Sequence, residues 1–195
     1  MANDSATGGP LVPTATTPVQ DDPFEDLIGN TIAGLTGITR GLVRPRWQPK
    51  PPAMPADTVS WCAFGIMEID ADWGAHLRHI PDGDGSSEMT RHETLVILAS
   101  FYGPSGYSKA SQLRDGLWIK QNWDALNAVG VALLECSRAR TASDLVNGRF
   151  IRRIDLEMQF RRVITRTYPI LNLLSAQGSF TTDLGHVQPF IVMET

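Results

Sequence analysis

Lysine is nearly missing from this chain: Lys50, Lys109 and Lys120 are the only three, and arginine carries the rest of the positive charge. A basic excess is missing too. The net charge is -4, so the overall charge gives no reason to expect recognition of nucleic acid. Cysteine is scarcer still. Cys62 and Cys136 both lie inside apolar runs that read as strands, where a thiol acts as a small hydrophobe, and both are expected to be reduced and structural. No apolar run approaches the roughly 20 residues of a membrane helix, and no basic segment followed by an apolar one opens the chain. A soluble protein made in a reducing compartment, with no membrane partner, is the expectation. The chain also has no phosphate-cradling GxxxxGK, no dinucleotide fingerprint and no specific pairing of acids, so no cofactor is expected and catalysis finds little support.

What the chain does have is enough apolar residue, 42% of 195, to bury a core, which predicts one domain with a tail. Residues 1–21 combine Pro, Gly, Thr and Ala with little to bury and read as a flexible arm. At Asp22-Pro23-Phe24-Glu25 an N-cap acid, an early proline and a glutamate form a capping box. It predicts a helix that buries Phe24, Leu27, Ile28, Thr31 and Leu35 and ends at Gly37. Ile38 to Trp47 reads as a short strand, and TVSWCAFGIMEID from Thr58 as a central one. Ala71 to Arg91 is turn-rich and predicts a loop or a hairpin excursion; Glu93 to Tyr102 returns as a strand. After the turn Gly103–Gly106, Ser108 caps a helix expected to run to about Val129, with Gly130 as the stop. Strand 131–140 follows, then a loop through Asn147-Gly148. The clearest alternation in the chain comes next: Ile154, Leu156, Met158 and Phe160 against Asp155, Glu157, Gln159 and Arg161, a strand with one wet face. Ile170 to Phe180 reads as a further strand or a short helix, and residues 184–195 as a surface extension.

Several motifs invite a chemical reading. Asp82, Asp84, Ser86, Glu88, Thr90 and Glu93 fall at calcium-loop spacing, but Ser87 occupies the position where the sharp turn needs glycine, and no helical pattern flanks the loop. His76, His79 and His92 form a weaker candidate for a transition metal, and with the Asp82 loop they frame an alternative reading as a metal-dependent hydrolase. Ser105, preceded by proline, reads as a plain turn residue rather than a nucleophile. Arg44-Pro45-Arg46-Trp47-Gln48-Pro49-Lys50-Pro51-Pro52-Ala53-Met54-Pro55 contains overlapping PxxP patterns, which frame a third reading as a proline-rich adaptor. Lying between two predicted strands, it reads better as a stiff connection. Eight arginines fall between Arg138 and Arg166, and on a sheet these meet acids of the same sheet or of a neighbouring subunit more often than DNA. Arg44, Arg46, Trp47, Trp73, Arg138, Arg140, Arg152, Arg153 and Arg161 are therefore the candidate subunit or partner contacts.

The order of these features is itself informative. A leading helix, VRPRWQPKPPAMP, WCAFGI, ETLVILASFYGP, a helix near YSKASQLRDGLWI, GVALLECSRAR and RRIDLEMQFRR together resemble the neck or tail terminator proteins of tailed bacteriophages, roughly from Phe24 to Thr182. The resemblance implies an α+β subunit over residues 22–183, a mostly antiparallel sheet with two helices packed on one face. It also implies a homo-oligomeric ring, expected to be a hexamer, assembled in the host cytoplasm. In the virion such a ring caps the tail tube and joins it to the head connector or head completion protein. DNA would be only a passenger in its channel, and no catalytic residue is implied. The scarcity of lysine suits that picture, because a conduit should hold phosphate weakly.

Overall fold

The computed structural model describes residues 3–146 and 148–193 and is α+β with a mostly antiparallel sheet. Its strands are β1 (Ala15–Thr17), β2 (Val43–Pro45), β3 (Trp61–Ala71), β4 (His76–Ile80), β5 (Ser86–Tyr102), β6 (Val131–Cys136), β7 (Arg140–Val146), β8 (Arg149–Tyr168), β9 (Ser175–Thr181) and β10 (Val187–Met193). Its helices are α1 (Asp22–Thr36), α2 (Gly106–Gly116) and the single turn α3 (Asp124–Asn127). The large sheet runs in the order β1-β8-β5-β3-β2, with β4 paired to β5 and β6 and β7 both paired to β8; β9 and β10 form a separate hairpin. The larger of two compact units comprises Thr16–His76 and Thr90–Thr165, and the smaller the remaining described residues. No described helix is long and apolar enough to cross a membrane.

In the larger unit the alternation read from sequence places the core. Ile154, Leu156, Met158 and Phe160 of β8 are buried, as are Leu95, Ile97, Ala99 and Phe101 of β5 and Cys62 and Phe64 of β3. These residues share one face because successive strand side chains point to opposite sides. Phe24, Ile28 and Ile32 of α1 and Ala110 and Leu113 of α2 belong to the same buried cluster. The buried stripe of α1 is rotated from the expected one: Ile32 and Thr36 go in, while Leu27 and Leu35 are only partly covered. Gly29 is buried, and a Cβ there would lie 3.1 Å from the Phe64 ring. At its start, Asp21 rather than Asp22 occupies the N-cap, and it caps through its backbone carbonyl, which accepts from the N–H groups of Phe24 and Glu25 at 3.0 Å. At its end Gly37 adopts φ 68°, as the expected stop requires, and Lys109 Nζ of α2 donates to the Thr36 carbonyl at 2.6 Å.

Three other expectations change. The strand read over Ile38–Trp47 shrinks to β2, because Arg40–Leu42 forms a 3-10 turn whose Arg40 side chain reaches Asn30, Asp26 and the Val43 carbonyl. β2 lies parallel to β3. The helix expected over 108–129 stops at Gly116, whose carbonyl takes a hydrogen bond from Asn122 Nδ2 at 2.9 Å; Lys120–Trp123 and α3 then continue as separate turns. The loop expected after residue 140 is instead β7, zipped to β8 from Arg140↔Asp155 onward. The Asn147-Gly148 dipeptide, a common hairpin turn, was the available signal, although Asn147 itself lies outside the described residues. Met1, Ala2, Glu194 and Thr195, the ends of the expected arm and extension, lie outside them as well.

In the smaller unit, the hairpin alternative for residues 71–91 is realised as β4 and the start of β5, and Ile170–Phe180 resolves as strand β9. Ser5 donates its backbone N–H to the Pro169 carbonyl at 3.2 Å, and Thr14 donates to Thr167 at 2.8 Å, so the segment expected as an arm makes ordered contacts.

Candidate functional site

The face of the larger unit's sheet turned away from α1 and α2 carries a connected polar network. Arg46 Nη2 donates to Ser100 Oγ, which donates to Asp155 Oδ1. Asp155 Oδ2 accepts from Arg153 Nη2 at 2.9 Å and from Nε at 3.1 Å, and Arg153 Nη1 donates to Asp144 Oδ1 at 2.7 Å. Tyr102 donates its hydroxyl to Asp144 Oδ2 at 3.2 Å and stacks on Trp61 with ring centroids 4.3 Å apart. Arg44 lies 5.9 Å above the Trp61 ring. Two arginines and two aspartates balance each other here. Burial and the Asp144 charge hold the Tyr102 phenol above its ordinary range, so it serves as a donor. Paired and hydrogen-bonded charges of this kind hold one another in place and make a rigid platform.

The proline segment borders this platform. Arg44 donates from Nε to the Gly41 carbonyl at 3.1 Å and from Nη1 to the Ala53 carbonyl at 2.8 Å, pinning both ends of the turn to one side chain. The Trp47 ring lies over Gly65, where a Cβ would sit 2.7 Å from it. An open groove of about 590 Å³ results, lined by Arg44, Arg46, Trp47, Met54, Trp61 and Met67 among others.

The nine candidate contacts fall into three groups. Arg44, Arg46, Arg153 and Arg161 are engaged within the chain, Arg161 by Asp72 and by Thr94 Oγ1. Trp47 and Trp73 are exposed, Trp73 completely. Among the described residues no hydrogen bond or ion pair engages the side chains of Arg138, Arg140 or Arg152; the first two line a cleft with Asp155 and Glu157. Arg44, Arg46 and Trp47 meet at one groove. Sequence reasoning missed the partners Asp144, Ser100 and Tyr102, which no linear spacing connects. It also placed Glu93 in a possible calcium loop, whereas Glu93 pairs with Arg162 at 2.6 Å on the core face.

The loop candidates are occupied by their own neighbours. His79 contacts Ser87 Oγ through Nδ1 at 3.1 Å and Asn172 Oδ1 through Nε2 at 2.9 Å. Asn172 Nδ2 donates to the carbonyls of Pro81 and Gly83, and its backbone N–H donates to Asp84. Among the described residues, no group of three or more His, Cys, Asp and Glu is arranged to hold a metal. Asn172→Ala is expected to loosen this turn by about 1–2 kcal/mol, read as faster amide exchange at Asp84 and Gly85 with little change at β8.

Both thiols are held protonated. Burial pushes Cys136 up to about 11, and Cys62, fully enclosed, higher still. Alkylation of the native protein at pH 8 is expected to be slow at both and complete once the chain is unfolded, as mass measurement would show.

No curated protein matches this chain. A family model described as phage neck terminator protein matches residues 25–183, a span that contains most of α1, the platform, the groove and β9. The chain belongs to the phage neck terminator protein family and is a structural protein of the virion neck.

Proposed function

We propose that copies of this chain form a ring, a hexamer in the simplest reading, that ends the tail tube, abuts the head connector and leaves a central passage for DNA. The family match over residues 25–183 carries this reading. The network supports it: its paired charges stiffen one face, while Arg138, Arg140, Arg152, Trp47 and Trp73 remain on the surface for neighbouring chains. Arginine suits such contacts because its planar fork pairs with two carboxylate oxygens at once. In this reading the chain works through assembly in the host cytoplasm, and the ends beyond residues 22–183 reach adjoining chains.

Electron microscopy of the full-length protein, alone and with tail tubes, tests the proposal by asking whether rings with a central hole appear. Protein composition of purified virions gives a second check. A chain abundant in infected cells but absent from finished virions overturns the reading.

A further inference from the structure

The β9–β10 hairpin is bare. All its strand residues except Ala176 are exposed, including Phe180, Val187, Ile191, Val192 and Met193. A two-stranded hairpin is marginally stable alone in water, and an apolar surface of this kind marks a contact. Its tip is nonetheless well formed. Gly185 donates its N–H to the Thr182 carbonyl at 2.8 Å, Thr182 donates to His186 at 2.9 Å, and Phe180 stacks on Phe190 at 5.0 Å. That turn presents Leu184, 88% exposed, beside Asp183. No lysine or arginine follows Arg166 in the sequence.

The groove beside the proline segment has the complementary chemistry. It contains Arg44 and Arg46, no acidic residue, and an apolar wall of Trp47, Met54, Trp61 and Met67. Arg44 spends Nε and Nη1 on loop carbonyls, and among the described residues nothing accepts from Nη2.

We propose that the β9–β10 tip of one copy seats in this groove on the next copy, Leu184 entering against Trp47, Met54 and Met67 while Asp183 pairs with Arg44. The assignment rests on the ring reading above and names a contact that builds it. Tip and groove are different surfaces, so the contact is heterologous, the kind that repeats from copy to copy and closes into a ring when the rotation permits.

The test mixes two full-length single variants, Leu184→Cys and Met67→Cys, under mild oxidation and maps the disulfides by mass spectrometry, with oxidised wild type as the blank. Both positions are exposed, so neither change disturbs the core. The expected result is a dominant mixed 184–67 disulfide, which is intermolecular by construction. In parallel, Leu184→Asp should weaken assembly roughly 10–100-fold, the loss expected when one buried leucine leaves an interface. Rings that form equally well with Leu184→Asp and give no mixed disulfide overturn this contact and leave the ring reading standing. Protection of the groove only when another neck protein is added also overturns it. Wild-type protein that forms no ring, alone or on tail tubes, overturns both.

Discussion

Arg162→Met is expected to cost about 3–5 kcal/mol, because it strands the Glu93 carboxylate in a site that water scarcely reaches. The two side chains are 4% and 11% exposed and meet at 2.6 Å. Arg162 Nε gives Glu93 a second bond at 3.2 Å, and its guanidinium lies 4.6 Å from the centre of the Phe24 ring. The substitution therefore removes an ion pair and the packing beneath the first turn of α1 together. For a chain of this size the melting temperature should fall by roughly 6–20 °C. Replacing both partners, Glu93→Leu with Arg162→Met, should recover most of the loss, since an apolar pair needs no charge compensation. Arg152→Met supplies the comparison: exposed and unengaged among the described residues, it should change stability by less than about 0.5 kcal/mol. Thermal unfolding of the four proteins checks the set. A double variant as unstable as the single one would show that the pair's packing, rather than the stranded charge, is what matters.

Gly103→Ala is the second large effect. Gly103 has φ 86°, a conformation that costs an L side chain about 1–3 kcal/mol. The added methyl would also press on the backbone of Val59 and Ser60. Backbone cannot swing aside as a flexible side chain can, so overpacking adds roughly 1–3 kcal/mol more. Gly83→Ala separates the two contributions: its φ is 62°, but nothing lies within 4 Å of a Cβ there. Denaturant unfolding should show Gly103→Ala clearly less stable than Gly83→Ala. Equal losses would mean that the segment before β3 yields freely.

These two residues also show what could be read in advance. Gly103 was legible as a turn from its Gly-Pro-Ser-Gly setting, but its closeness to Val59, forty-four residues earlier, was not. Arg162 was legible as one of a run of arginines. That it faces the core follows from the β8 alternation, since 154, 156, 158, 160 and 162 share one side, yet charge alone argued for the wet face. A buried cation is tolerable only because Glu93, sixty-nine positions away, meets it. At the groove, Arg44, Arg46 and Trp47 were candidates from composition. Their partners Ala53, Ser100 and Gly65 were beyond reach of sequence, because hydrogen bonds and ring contacts between elements leave no periodic trace.

Local chemistry in this chain is decided by neighbours a few residues apart, which is why sequence alone determined the start of α1 within one residue, its stop at Gly37, the main course of β3, β5 and β8, and the order of elements that resembles the neck terminators. Competing local preferences misled it where a tertiary partner intervened. Asn122 closes α2 at Gly116, and pairing with β8 turns a polar stretch into β7. Which arginines are spent on internal acids, and which stay on the surface for another chain, was decided only by the tertiary structure. The free energy of an ion pair depends on distance and burial, and neither quantity exists until the sheet has brought its strands together.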